Sequence, residues 1–571
     1  MFKVKNLLRN EYFPTELPPC FNTDDLANFA EEVIRLANTN EQKYSIALKY
    51  SGYKSESSRR TFSIPNPYHY CRAVDIIVQN EEDLLNVFRK SLFSLTAPIP
   101  QNPTDSQAYS KRSKNIADTK FEIEKLYQNR RYEIRLDIST FFDSIYTHSI
   151  PWAIHGKETA KRERSNASLL GNKLDKSIRA MNYDQTNGIL VGNAVSRIIS
   201  EIILCTVDHQ IRKKFKDIDC CRFVDDYYIY PNDISQIQEI ISFIRVCLSQ
   251  YELNLNENKI QINESPFLYG KPWIEEVKQY IHLQPEIFLS KLIMEYNKHK
   301  DLSIIKYGLR IISQCGYSQK EWPAMQSRLI NLWVRFPSLS DRILPTLWQN
   351  KDKIGKTVLK KAIYTIIDET ILLNREQELV WAIWYAKVFN VTLSKEYIIK
   401  TLNSSNELAI IIILDLIYKW GKETVREIKS KLNVLRTYLV GEDTDERGNT
   451  NKLLWTSHWL LSYEATKNGW LNIDGHTFDY ANHNSFFSEL IGKDIKFYDL
   501  EFSYEEKRAE GNKFEFATRS ELYRALTKLK KALENERSSV RAEELLTEEE
   551  KENLYFEFLE ALHREERGYV G

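Results

Sequence analysis

Glycine is scarce in this chain, with 18 in 571 residues, and methionine scarcer, with four. So little glycine leaves few positions for the tight turns of an all-β fold and argues for helices. Cysteine offers no framework either. The seven, at Cys20, Cys71, Cys205, Cys220, Cys221, Cys247 and Cys315, contain no CxxC pair and are odd in number. Reduced thiols in a cytosol are therefore expected. The longest apolar run, Leu379 to Ala386, is far too short to span a bilayer. The N-terminus lacks a charged-then-apolar signal pattern, so a soluble, cytoplasmic protein with no membrane partner is expected. Neither sign of charge is in excess, since Lys+Arg and Asp+Glu stand at 79 each. Only local patches can then argue for a nucleic-acid partner.

Aromatic residues are plentiful by contrast, with 32 tyrosines and 26 phenylalanines, and the length suffices for two or three domains. The stretch Asn10 to Pro19 is extended and proline-pinned. Asn22 or Thr23 caps a predicted helix whose apolar stripe is Leu26, Phe29, Ala30, Val33, Ile34 and Ala37. Lys54 to Arg60 is polar and basic, Ile64 to Tyr68 reads as a turn, and Tyr70 to Val78 as a strand or short helix. Arg59, Arg60 and Arg72 are candidate phosphate ligands, because guanidinium grips phosphate with two prongs. Each alone is as readily a solvated surface charge.

Three further pieces carry chemistry. From Tyr132, alternation puts Ile134, Leu136 and Ile138 on one strand face and Arg135 and Asp137 on the other. Next, the glycines of Asn187-Gly188 and Val191-Gly192-Asn193 allow close approach of backbone to a ligand. A long amphipathic helix follows them, with Val195, Ile198, Ile199, Ile202, Ile203 and Val207 on its apolar side. Between these two pieces Gly156 to Lys176 forms a modest basic patch. Last, Arg222 to Tyr230 sets Asp225 and Asp226 between two aromatic-rich strand segments, which predicts a tight hairpin with both carboxylates at its tip. Two adjacent like charges repel unless a cation sits between them and a third ligand.

In this order and spacing the pieces resemble the palm of reverse transcriptases. Leu136 to Ile145 looks like the first palm motif, Asn187 to Ser196 the second, Phe223-Val224-Asp225-Asp226 the third, and Leu253 to Lys259 the fourth. The resemblance implies that Asp137, Asp225 and Asp226 are catalytic and bind two Mg²⁺ ions, with Mn²⁺ as the alternative and the Ile138 carbonyl as a further ligand. It implies that Phe142 excludes the ribose 2′-OH and so selects dNTPs. Gly192, Asn193, Lys259, Arg60 and Arg72 would bind substrate, with Lys259 near the departing pyrophosphate.

Tyr146 to Lys157 and Gly188 to Asn193 narrow the likeness to the abortive-infection (Abi) and related defence-associated reverse transcriptases of bacteria. Leu190 and Val191 stand where ordinary reverse transcriptases usually carry Pro-Gln. That departure looks like the Abi group, whose members can extend a tyrosine of the protein itself without a template. The priming residue is open among many tyrosines, Tyr12, Tyr44 and Tyr569 being conceivable.

The expected fold is therefore an α+β fingers-and-palm region followed by an all-α, HEAT-like helical-repeat domain in place of a conventional thumb. Helical stripes from about Phe288 to Trp470 support the second part. The boundaries read as 1–130 (N-terminal segment and fingers), 131–270 (palm), 271–475 (helical repeats) and 476–571 (C-terminal helical tail). In the tail, capping boxes predict helices near Glu521–Glu534 and Glu548–Arg564. The functional expectation is an antiphage DNA polymerase, protein-primed and untemplated. Its partners would be dNTPs, a DNA product covalently attached to the protein, and further copies of itself in a homo-oligomer. One alternative is a polymerase copying an associated non-coding RNA; another is a helical-repeat scaffold with a vestigial palm.

Overall fold

Strands β1 (Leu48–Ser55) and β2 (Ser58–Ile64) form an antiparallel hairpin that pairs Gly52 with Arg60 and Tyr53 with Arg59. The basic Lys54–Arg60 stretch supplies its turn and the start of β2. A second antiparallel sheet contains β3 (Tyr132–Leu136), β4 (Asp219–Phe223), β5 (Asp226–Tyr230) and β6 (Gln261–Glu264), in the order β4-β5-β3-β6. Ile134, Leu136 and Ile138 are buried on one face, as the alternation predicts. The computed structural model describes residues 2–39, 42–112, 116–267, 271–281, 283–315, 317, 319–442, 453–502 and 504. The helices predicted at Glu521–Glu534 and Glu548–Arg564, and Tyr569, lie outside the described residues.

The stripe predicted as one N-terminal helix is two, α1 (Asp24–Asn28) and α2 (Ala30–Thr39), parted at Phe29 with φ −105° and ψ 29°. Thr23 does not cap it. Its hydroxyl donates to the Leu8 carbonyl at 2.7 Å, while the Asn22 side chain accepts from the Asp24 N–H at 3.2 Å. Tyr70 to Val78 is helical, within α3 (Pro67–Gln79). Asn66 caps it, and Pro67 sits where a missing N–H costs nothing. After β3 come α4 (Phe141–Ser144), α5 (Leu170–Met181) and the long α6 (Ala194–Lys214), which packs its isoleucines into the core.

Beyond β6 the chain is helical: α7 (Trp273–Lys278), α8 (Pro285–His299), α9 (Ser303–Ile312), α10 (Trp322–Arg335), α11 (Ser340–Gln349), α12 (Lys356–Leu372), α13 (Glu376–Val388), α14 (Lys395–Leu402), α15 (Glu407–Lys419), α16 (Arg426–Glu442) and α17 (Trp459–Lys467). They stack in two rows. The odd-numbered helices contact one another in sequence from α7 to α17, and the even-numbered ones do so from α8 to α16. The Leu379–Ala386 run is the middle of α13, apolar all round because it is covered on every side.

This helix also closes the open edge of the first hairpin. Glu376 accepts from the Ser51 N–H at 2.5 Å, and Gln377 from the Tyr53 N–H at 2.8 Å. Glu378 takes the Arg59 guanidinium in two bonds of 2.5 and 2.7 Å. Side chains thus satisfy backbone groups that would otherwise invite another strand. Among the described residues no helix is long and apolar enough to cross a membrane, and the seven cysteines form no disulfide.

Candidate active site

Asp137 follows the last residue of β3. The ladder pairs Arg135 with Tyr228 and Leu136 with Tyr227, and its next step sets Asp137 against Asp226. The β4–β5 ladder closes on Phe223 and Asp226, so the two turn residues are Val224 and Asp225. The expected hairpin is therefore shifted by one residue. Asp225 is at the tip, and Asp226 opens β5. Val224 takes φ +54°, a positive angle at the first turn position, which usually belongs to glycine and is strained for a β-branched side chain.

Leu253 to Lys259 lies along the segment after Asp137. The Asn256 N–H donates to the Asp137 carbonyl at 2.8 Å, and the Ser139 N–H to the Asn254 carbonyl at 2.9 Å. These bonds flank Ile138, paired across from Leu255, and leave the Ile138 C=O turned away from that segment. The same alignment brings Lys259 Nζ to 3.0 Å from Asp137 Oδ2, which also accepts from the Asn256 amide at 3.1 Å. Three carboxylates and one ammonium therefore meet at one end of the sheet.

Two of the carboxylates feel the charges around them. Burial, and then the charge of Asp137, hold the Asp225 carboxyl above its ordinary range, while its own backbone N–H, Lys259 and Arg60 pull it down. Burial, then Asp225, then Asp137 push Asp226 up to about 7, with Lys259 opposing. Between the ordinary carboxyl value of 3.8 and about 7, the folded chain holds a proton that the unfolded chain has released. Stability without metal should therefore fall as pH rises through that window. Discounted for partial exposure, the loss is on the order of 1 kcal/mol. Thermal melts in EDTA between pH 5 and pH 8 should show this decline, and Asp226→Asn should flatten it.

Residues 54–276 match the family model described as reverse transcriptase (RNA-dependent DNA polymerase). That stretch of the chain is similar to reverse transcriptase domains, and all four pieces read from the sequence fall inside it. Among solved structures, telomerase from Candida albicans in complex with a TWJ fragment of telomeric RNA is 12% identical, with a TM-score of 0.26, over 59% of this chain and 65% of that one. Apo telomerase from Candida tropicalis is 11% identical, with a TM-score of 0.31, over 76% of each chain. The match thus spans just under two thirds of the first of these relatives. No curated protein matches the sequence.

The other expected site residues fare differently. Arg60, on β2, lies close enough to lower Asp225. Arg72 does not join it. Its Nη1 donates to the Tyr68 hydroxyl at 2.9 Å, within α3. Phe142 is half-buried on α4, its ring 5.2 Å from that of Phe141. Gly192 has a packing reason to be glycine. A Cβ there would come within 2.8 Å of Pro14 and 3.1 Å of the Phe62 ring, and its φ is +105°. Asn193 was expected to bind substrate, but it is fully buried. Its carbonyl caps α6 by accepting from Ser196 N–H, and its amide donates to the Leu190 carbonyl, both at 2.9 Å. Asn193 therefore serves the helix. The Val191 carbonyl accepts from Ser63 of β2 at 3.0 Å, which ties this loop to the first hairpin. Of the conceivable priming tyrosines, Tyr12 is fully buried, with its hydroxyl on the Pro65 carbonyl at 2.5 Å. Tyr44 is 39% exposed.

One cluster escaped the sequence reading. Arg222, wholly buried beside the turn, binds Asp208 through Nε at 3.0 and 3.1 Å and through Nη2 at 2.8 Å. It binds Glu201 through Nη1 at 3.2 Å and Nη2 at 2.9 Å. Both acids project from α6, seven residues and so two turns apart on one face. Burial pushes the Glu201 carboxyl up, but Arg222 and the hydroxyls of Thr96 and Ser94 hold it below its ordinary range.

Proposed function

We propose that the protein is an antiphage-defence polymerase of the Abi type, which joins dNTPs into DNA beginning on one of its own tyrosines, without a template. The observation that carries the polymerase part is the convergence of Asp137, Asp225 and Asp226 beside Lys259. Carboxylates crowded this closely, with Asp225 and Asp226 held above their ordinary range by burial and like charge, form a donor set that fits a divalent cation. Asp137, Asp225, Asp226 and the Ile138 carbonyl would hold Mg²⁺, or Mn²⁺ in its place. Bound there, such ions would supply the positive charge that activates an attacking hydroxyl and neutralises a leaving pyrophosphate.

The chain's own groups do the rest. Arg60 meets the triphosphate. Lys259, 56% exposed, is free to swing from Asp137 toward the departing pyrophosphate and screen or protonate it. Phe142 stands against the 2′ position of the sugar. Phe142→Ala should raise incorporation of ribonucleotides relative to deoxyribonucleotides by on the order of tenfold or more, measured by competition between labelled substrates.

Protein priming rests on Leu190 and Val191, which supply no glutamine to seat a templated nucleotide. The two rows of helices that follow β6 support a HEAT-like domain in place of a thumb. The reading includes a cytoplasmic homo-oligomer, whose mass light scattering would report.

Purified protein given labelled dNTPs and Mg²⁺ should retain label through denaturing electrophoresis and nuclease treatment of the input. Mass spectrometry should find the nucleotide on a tyrosine peptide, with Tyr44 the exposed candidate. Activity abolished by ribonuclease pretreatment would favour copying of a bound RNA instead. No incorporation under any condition would leave only a scaffold.

A further inference from the structure

We propose that Thr96 and Arg222 form a two-point clamp on the Val224 peptide, setting the Val224–Asp225 turn so that the three aspartates can share a cation. The inference rests on the polymerase reading above and adds positioning residues to it. The turn needs such a device. A valine at φ +54° holds its backbone against steric preference and persists only where its surroundings enforce it. Its two carboxylate neighbours repel each other as well, and a looser turn would let them splay.

Both polar groups of Val224 are taken. Its N–H donates to Thr96 Oγ1 at 3.2 Å, and its carbonyl accepts from Arg222 Nη1 at 2.6 Å. Both clamping groups have the same root. Thr96 Oγ1 donates to Glu201 Oε1 at 2.6 Å, and Arg222 Nη1 binds that same oxygen at 3.2 Å. On the far side of the turn, the Tyr227 hydroxyl donates to Asp208 Oδ1 at 2.7 Å. Behind the turn, the Arg222 N–H donates to the Phe93 carbonyl at 2.8 Å, and the Leu95 N–H to the Arg222 carbonyl at 2.9 Å. Arg222, Val224 and Tyr227 are therefore anchored, directly or through Thr96, to two acids on a rigid helix. The residues left to face outward are Asp225 and Asp226.

The test uses full-length protein and two readouts, Mn²⁺ affinity by electron paramagnetic resonance and steady-state dNTP incorporation. Thr96→Val keeps shape and every charge but removes the acceptor for the Val224 N–H and, with it, the hydroxyl that donates to Glu201. It should weaken Mn²⁺ binding and lower kcat by about tenfold each, as loss of a group supporting metal ligands does, while KM for dNTP changes by less than about twofold. Thr96→Ser, which keeps the hydroxyl, should restore both. With Val224→Gly added, the positive φ carries no strain, and Thr96→Val should then cost less than about threefold.

A folded Thr96→Val protein with wild-type Mn²⁺ affinity and kcat overturns the clamp, and so does an equal loss in the glycine background. If Thr96→Val does not fold, Thr96→Ala, which also lacks the hydroxyl but crowds nothing against Glu201, carries the same comparison. A wild type that neither binds Mn²⁺ nor incorporates nucleotide removes the polymerase reading itself. A wild type that does both, beside an indistinguishable Thr96→Val, removes the clamp alone.

Discussion

Asp225→Ala should abolish nucleotide incorporation and, in the absence of metal, make the protein more stable. The two effects have one cause. Asp225 shares its space with Asp137 and Asp226, and its negative charge is, after burial, the largest force pushing Asp226 up to about 7. Without the carboxylate, the donor set loses the member at the tip of the turn, and incorporation should fall on the order of 10³-fold or more, the scale of losing a main electrostatic contact of a transition state. The relieved repulsion returns on the order of 1 kcal/mol after allowance for partial exposure, seen as a higher melting temperature at pH 8 in EDTA. Added Mg²⁺ should stabilise the wild type and leave the variant unmoved. A variant that is inactive and less stable would point to a structural part for Asp225. A variant that is active would remove the carboxylate cluster from the chemistry altogether.

Much of this site is legible in the chain because its signals are local. The alternation of Ile134, Leu136 and Ile138 fixes which way Asp137 points. The ordered motifs bring Asp225, Asp226 and Lys259 with it, and the structure sets all four at one end of the sheet. The observed turn lies one residue before the expected one, because aromatic flanks mark strands without marking where pairing ends. Only the Phe223–Asp226 pair does that, at the expense of a strained valine. Asn193 carried a readable signal, an asparagine immediately before a long apolar stripe, which is the pattern of a helix cap. The break at Phe29 carried none, lying in a stripe of uninterrupted helical period. Only its residue type points Arg72 toward phosphate, and type does not say which face of α3 a side chain takes. The buried ion cluster was within reach. Glu201 and Asp208 stand seven apart among the isoleucines of α6, and two acids on an apolar face demand a buried cation.

That demand makes Arg222 the residue whose loss should cost the fold most. Arg222→Met leaves Glu201 and Asp208 buried, ionised and facing each other across the gap, which costs about 3–5 kcal/mol where a buried pair loses one partner. Glu201→Gln has a milder outcome. The cluster holds one positive and two negative charges, so neutralising one acid leaves a matched pair, and the amide carbonyl can still accept from Thr96 and Arg222. Its cost should be about 1 kcal/mol, that of an ordinary hydrogen-bond change. Urea denaturation gives both values, provided the slope stays constant between variants. The order matters more than the sizes. If Glu201→Gln proved as damaging as Arg222→Met, hydrogen bonding to the intact carboxylate would be the binding force of the cluster. If Arg222→Met were mild, the two acids would be taking up protons when their partner leaves, and the penalty would reappear as pH rises.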